Sequence, residues 1–145
     1  MIKEVKSENI KEAAEVYSVS WIESHRDICS NSFLMIHSPE VMEEKIRAAI
    51  KEGWKFYLYL SPEPLGIISI RENEISTLYV HPEMERKGIG SELLSFAERI
   101  ISSSPFLWCR KDNRKAISFY EKRGYVITEE KVINKKMTEV KLLKS

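Results

Sequence analysis

Leu78-Tyr79-Val80-His81-Pro82-Glu83-Met84-Glu85-Arg86-Lys87-Gly88-Ile89-Gly90-Ser91 runs from a β-prone stretch through a basic turn with two glycines into an apolar-periodic segment. Such a stretch can hold a phosphate. The first N–H groups of a helix have no intrahelical partner and lie at the positive end of its dipole, so an anion there gains hydrogen bonds and charge stabilisation. Gly88 and Gly90 carry no Cβ to keep a pyrophosphate from that backbone. The Gly-Lys-Ser/Thr ending of a Walker loop and the third glycine of a dinucleotide fingerprint are both missing, which argues against those two nucleotide sites. Downstream, Asp112 to Tyr125 sets Asn113 at a helix start, Tyr120 on an apolar face with Ile117 and Phe119, and Gly124 as the stop.

Together the two stretches resemble the GNAT superfamily of N-acetyltransferases. Its acyl-coenzyme A motif, Gln/Arg-x-x-Gly-x-Gly/Ala, is matched by Glu85-Arg86-Lys87-Gly88-Ile89-Gly90, with Glu85 as the one departure. A carboxylate beside a pyrophosphate repels it, so Glu85 is expected to point to solvent, with Arg86 and Lys87 offsetting its charge. The family's second signature, Asn-x-x-Ala-x-x-Phe-Tyr-x-x-x-Gly-Phe/Tyr, is met at every specified position by Asn113, Ala116, Phe119, Tyr120, Gly124 and Tyr125. The resemblance implies acetyl-coenzyme A as co-substrate and no metal. It places the pyrophosphate on the Glu85 to Ser91 turn and the pantetheine arm along the backbone of Leu78, Tyr79 and Val80, with Asn113, Ala116 and Phe119 beside it.

Acetyl transfer to an amine needs a deprotonated amine, a polarised carbonyl and a proton for the departing thiolate. By resemblance, Tyr120 protonates the coenzyme sulfur and a backbone N–H near Leu78 or Tyr79 polarises the carbonyl. An alkyl amine with a pKa of about 10 is protonated at neutral pH, and Glu74, a few residues before the Leu78 run, is the expected base; an exposed strand-end carboxylate would look the same. The acceptor side implied by the resemblance is the first two helices and their link, hence Tyr17, Trp21, His25 and Arg26, with Asp27, Phe33 and the neighbourhood of Ile133. Read as loop residues, His25 and His37 are expected to be solvated, and His81, before Pro82, to be structural. A small amine, an amino-acid derivative, an antibiotic and a protein N-terminus all stay open as acceptors, and so does a homodimer.

Two other classes compete. A catalytically silent coenzyme-binding or regulatory module of the same fold would keep the glycine turn but has no need of Tyr120 and Asn113. A nucleic-acid patch of Arg86, Lys87, Arg110, Lys111, Arg114 and Lys115 with Trp108 sits poorly with a net charge of +1.

The surrounding chain must position these groups, and its 145 residues, 43% hydrophobic and 31% charged, suit one domain. Cys29 and Cys109 form no metal or disulfide pattern, and no apolar signal core or membrane span is visible, so a cytoplasmic enzyme with neither membrane nor nucleic-acid partner is expected. The periodicity predicts a strand at about residues 1–6, a helix opened by Asn9 with Glu12 as a capping box, and an irregular polar stretch from Ser24 to His37. A second helix starts at Ser38-Pro39 and stops at Gly53. Strands follow at Trp54 to Leu60, Leu65 to Glu72 and Glu74 to His81, then a helix from Gly88 to about Ser102, a strand at Phe106 to Arg110, the Asn113 helix, and strands at Tyr125 to Val132 and Lys136 to Leu143. This order matches the GNAT fold: a mixed, mostly antiparallel α/β (α+β) sheet of six to seven strands, splayed between the fourth and fifth, with about four helices.

Overall fold

The structure, a computed structural model, describes residues 1–145. Its core is one seven-stranded sheet in the order β1-β2-β3-β4-β5-β7-β6. The strands are β1 (Ile2–Glu4), β2 (Lys55–Leu60), β3 (Pro64–Arg71), β4 (Glu74–Val80), β5 (Phe106–Arg110), β6 (Tyr125–Asn134) and β7 (Met137–Lys144). Every neighbouring pair is antiparallel except β4 and β5. Five α-helices accompany them: α1 (Ile10–Ser24), α2 (Asn31–Met35), α3 (Pro39–Lys51), α4 (Ile89–Ile100) and α5 (Arg114–Glu121). None of them is long and apolar enough to cross a membrane.

Two apolar clusters hold the layers together. On one face α1 and α3 bury Ile10, Ala13, Met42 and Ile46 against Phe56, Leu58 and Ile67 of the sheet. On the other, Leu93, Leu94 and Ala97 of α4 and Tyr120 of α5 meet Ile68, Ile70, Ile75, Leu107 and Leu142. Each fully buried Leu or Ile contributes about 1.5–3 kcal/mol. Gly66 sets how closely α4 lies on β3, because a Cβ there would come within 2.9 Å of Leu93 Cδ1.

Two features of β4 shape the site. Ile68 lies opposite Leu78 while Ile70 lies opposite Ile75, so β4 holds one residue more than β3 over that interval. The bulge is fastened by the Thr77 N–H, which donates to the buried Ser69 Oγ at 3.0 Å. Ile75, Leu78 and Val80 consequently meet the α4 side of the core, whereas Tyr79 meets the α1 side. The second feature is the splay: β4 and β5 pair only at Glu74–Phe106 and Ile75–Leu107, and beyond Ile75 the strands part.

Three local expectations are corrected. Asn9 does not cap α1 with its side chain; its Oδ1 accepts from the Lys6 N–H at 2.7 Å and its Nδ2 donates to the Glu4 carbonyl at 3.2 Å, so it braces the turn after β1 instead. The stretch read as irregular contains α2, capped by Ser30 Oγ, which accepts from the Phe33 N–H. His25 and His37, expected in solvent, are only 6% and 5% exposed.

Candidate active site

Where β4 and β5 part, a cleft of about 530 Å³ opens through the sheet. Ser76, Leu78 and Tyr79 of β4 form one wall, and Trp108, Cys109 and Arg110 of β5 the other. Of the residues singled out from sequence, Trp21, His25, Glu74, Leu78, Tyr79, Asn113, Ala116 and Tyr120 all line it. Tyr17 and Arg26 do not: Tyr17 stacks behind Tyr79 with ring centroids 5.6 Å apart, and Arg26 reaches outward to Glu23 at 3.4 Å.

On the α4 side, the basic turn takes the conformation that its glycine suggests. Gly88 is left-handed (φ 89°) and so is Arg86 (φ 66°). Gly88 is the N-cap of α4, and no side chain caps the helix, so its first-turn N–H groups keep their capacity for an acceptor. A Cβ at Gly88 would meet nothing within 4 Å, while at Gly90 it would lie 3.4 Å from the Phe119 ring and 3.6 Å from Val80. The α4 terminus, β4 and α5 therefore converge on one corner. Phe119 there carries the Arg123 guanidinium over its face at 3.8 Å, and Arg123 Nε donates to Ser91 Oγ at 3.0 Å. Arg123 is a cation beside the turn that sequence reasoning passed over, because its place depends on α5 docking against α4.

Glu85 is neutralised, but not by its neighbours. Lys115 Nζ, from the second motif, lies 2.9 Å from Glu85 Oε2, correcting the expectation that Arg86 and Lys87 offset the charge. Glu85→Gln should accordingly leave donor affinity within about threefold of wild type, since an exposed ion pair contributes roughly 0–1 kcal/mol. Calorimetric titration with coenzyme A checks it; a larger loss would mean that Glu85 holds the turn in shape.

Asn113 Oδ1 accepts from the Ala116 N–H at 3.2 Å, capping α5 while lining the cleft. Tyr120 is buried, and its phenol has no hydrogen-bond partner in the protein. Because no buried side-chain oxygen or nitrogen lacks a partner, that hydroxyl opens into the cleft. Burial first, then the neighbouring Cys109, hold it well above the ordinary phenol range, so it stays protonated at neutral pH. Tyr79 is pushed up in the same way, with Tyr17, Tyr120 and Cys109 facing it. Burial raises the Cys109 thiol to about 11, which leaves it un-ionised and a poor nucleophile.

The opposite mouth is aromatic and charged. Trp21 is clamped between the rings of His25 (4.0 Å) and His37 (3.7 Å), with Phe33 tilted against it at 5.9 Å. Trp108 lies under Lys131 Nζ, 5.6 Å from the ring centre. On β7, Glu139 sits in register between Arg110 on one side and Lys131 on the other. Lys131 and Met137, flanking the β6–β7 turn, reach the cleft, whereas Ile133 is among the exposed apolar residues. Glu74 lies where β4 and β5 still pair, and burial raises its carboxyl from the ordinary value against the pull of Arg71 and Lys141. His81 is structural as expected: its Nδ1 accepts from the Glu83 N–H at 3.2 Å and caps a short 3₁₀ turn, Pro82–Met84.

The acetyltransferase (GNAT) domain family matches residues 6–144, and the chain belongs to that family. It is 34% identical to a probable N-acetyltransferase of Mycobacterium tuberculosis, over 81% of this chain and 74% of that one. It is 24% identical to the spermidine N(1)-acetyltransferase of Thermoplasma acidophilum, over 88% and 89%. The crystal structure of the PaiA N-acetyltransferase from T. acidophilum in complex with coenzyme A superposes with a TM-score of 0.76 at 24% identity, covering 97% of this chain and 96% of that one.

Proposed function

We propose that this protein is an acetyl-CoA-dependent N-acetyltransferase acting on a small-molecule or peptide amine by direct transfer, with donor and acceptor bound together. The observation that carries the reading is the cleft between β4 and β5, with the protonated Tyr120 phenol opening into it. Acetyl-CoA supplies a thioester whose acyl carbon is open to attack. The residues present fit it: the β4 backbone beyond Ile75 has no β5 partner and can pair with an amide-bearing arm. The uncapped α4 terminus with Arg86, Lys87 and Arg123 suits a pyrophosphate.

Tyr120 gives its proton to the departing sulfur. Cys109, held as the thiol, is unsuited to carry an acyl group, which favours direct transfer over an acyl-enzyme. Glu74 and Glu139 draw a cationic amine toward the cleft, where Glu74 helps the amine's proton leave to solvent. Glu74→Gln should lower turnover at neutral pH, with part of the loss recovered as rising pH makes free amine more abundant. An equal loss at all pH values would mean misplaced structure, and no loss would remove Glu74 from the reaction.

The test of the reading as a whole is thiol release from acetyl-CoA across a panel of amines, amino-acid derivatives and peptides. Polyamines belong on it because of the relative named for spermidine. Saturable turnover of any acceptor supports the proposal; acetyl-CoA binding without turnover across the whole panel would leave a binding module.

A further inference from the structure

Glu74 stands far from the bond that must form. It lies opposite Phe106, three residues below Cys109 on β5, and at about 3.3 Å per residue that is about 10 Å along the strand. Tyr120, which delivers the proton at the other end of the reaction, is at the level of Cys109 and Tyr79, the two groups that share its surroundings. A base acting directly needs hydrogen-bond distance to the nitrogen, or one bridging water. Of the ionisable groups lining the cleft near that level, Glu139 makes no hydrogen bond or ion pair that would fix its carboxylate, whereas His25 has both a free lone pair and a fixed orientation.

His25 follows the C-terminus of α1, and its ring lies 6.3 Å, centre to centre, from that of Tyr79. Its Nδ1 is 2.9 Å from the Trp21 carbonyl, an acceptor only, and 2.9 Å from Ser24 Oγ, whose own hydrogen goes to that carbonyl at 3.0 Å, so Nδ1 carries the hydrogen and Nε2 the lone pair. Stacking on Trp21 at 4.0 Å fixes the plane of the ring. Nε2 makes no hydrogen bond within the protein, and since no buried side-chain nitrogen lacks a partner, it opens into the cleft that His25 lines. His37 has a similar anchor, its Nδ1 2.9 Å from the Phe33 carbonyl, but it lies on the far face of Trp21 from His25.

We infer that His25 is a catalytic residue of the proposed transfer, its Nε2 taking the proton that the acceptor's ammonium must lose before it attacks. This rests on the acetyltransferase reading above. The ammonium's first proton passes to Nε2. The nitrogen lone pair then forms the C–N bond as the C–S bond breaks, with the sulfur leaving as thiolate. Tyr120 protonates that sulfur and recovers its proton from the second one shed by nitrogen, while the imidazolium returns its proton to solvent. One proton is released per acetyl transferred.

The charged and titratable groups facing His25 are His37 across Trp21, Tyr79 on β4, and Arg110 with Asp112 at the end of β5. Burial, Arg110 and His37 lower its pKa from the ordinary histidine value, against the raising effects of the Trp21 carbonyl and Asp112. His25 is therefore the free base at neutral pH, and turnover should fall as pH drops through a value below about 6.5.

The experiment combines kinetics of His25→Gln and His25→Phe, the latter keeping an aromatic ring on Trp21, with calorimetry of coenzyme A binding and ¹⁵N NMR of the wild-type imidazoles. In both variants kcat should fall by about a hundredfold or more with coenzyme A affinity unchanged. The acid limb of the wild-type kcat profile should have the large temperature dependence of an imidazole, and NMR should show the Nδ1–H tautomer. Wild-type turnover in either variant, a limb with the small temperature dependence of a carboxylate, or an Nε2–H tautomer would overturn the assignment. A variant that fails to fold leaves the wild-type limb and tautomer to decide. Absence of turnover in the wild-type protein itself would overturn the acetyltransferase reading instead.

Discussion

Tyr120→Phe should lower kcat by about a hundredfold or more while leaving coenzyme A affinity within about twofold of wild type. The two effects separate because, in the proposed reaction, the phenol acts on the departing sulfur, whereas donor binding is assigned to β4, the α4 terminus and the Arg123 corner. The ring itself should stay in place: it packs edge-on to Phe119 at 5.2 Å and Tyr125 at 5.6 Å, neither of which needs the hydroxyl. Acetyl donors with different leaving thiols sharpen the test. A more acidic thiol needs less help in departing, so the variant's deficit should shrink with donors of that kind. Unchanged turnover, measured where chemistry limits the rate, would take Tyr120 out of the mechanism.

The second large effect is expected at the basic turn. Gly88→Val should reduce acetyl-CoA affinity at least about tenfold and lower the unfolding temperature by a few degrees, because a β-branched residue at φ 89° is strained by more than about 1–2 kcal/mol. A Cβ added there meets nothing within 4 Å, so the strain at Cβ is conformational. Gly90→Ala separates the two contributions. Its Cβ would be in ordinary contact with Phe119, and alanine within a helix is favoured over glycine by about 1 kcal/mol. Stability should hold or rise with affinity unchanged, since the methyl group packs on Phe119 and Val80 and the motif itself admits alanine at this position. Parallel titration calorimetry and thermal unfolding read both, and undiminished affinity in Gly88→Val would place the pyrophosphate elsewhere.

Local chemistry was legible in the sequence and tertiary placement was not. Gly88, Asn113 and Tyr120 could be read because turn geometry, capping and motif spacing act over a few residues. Strand order and the splay came only through family resemblance, since periodicity cannot distinguish a strand paired on both sides from one released halfway. The polar stretch after α1 misled for a related reason. His25 and His37 have the composition of a loop, yet Trp21 buries both by offering one ring face to each, and no spacing rule encodes a sandwich closed by two different elements. Tyr17 has the helical spacing of Trp21 but is one turn nearer the start of α1, behind Tyr79 instead of at the cleft. Glu139, Lys131 and Met137 were out of reach because the register of the last hairpin decides which side of it meets β5.

The extra residue in β4 makes the site a matter of parity. Side chains on a strand alternate between faces, so everything beyond the bulge keeps its side only while the count between Ile75 and Leu78 stays as it is. Losing one residue there would exchange the two surfaces in a single step, turning Tyr79 into the α4 core and setting Leu78 and Val80 against the acceptor. No substitution in β4 could do as much. For this strand, a change of length by two preserves the division between donor side and acceptor side, and a change by one inverts it.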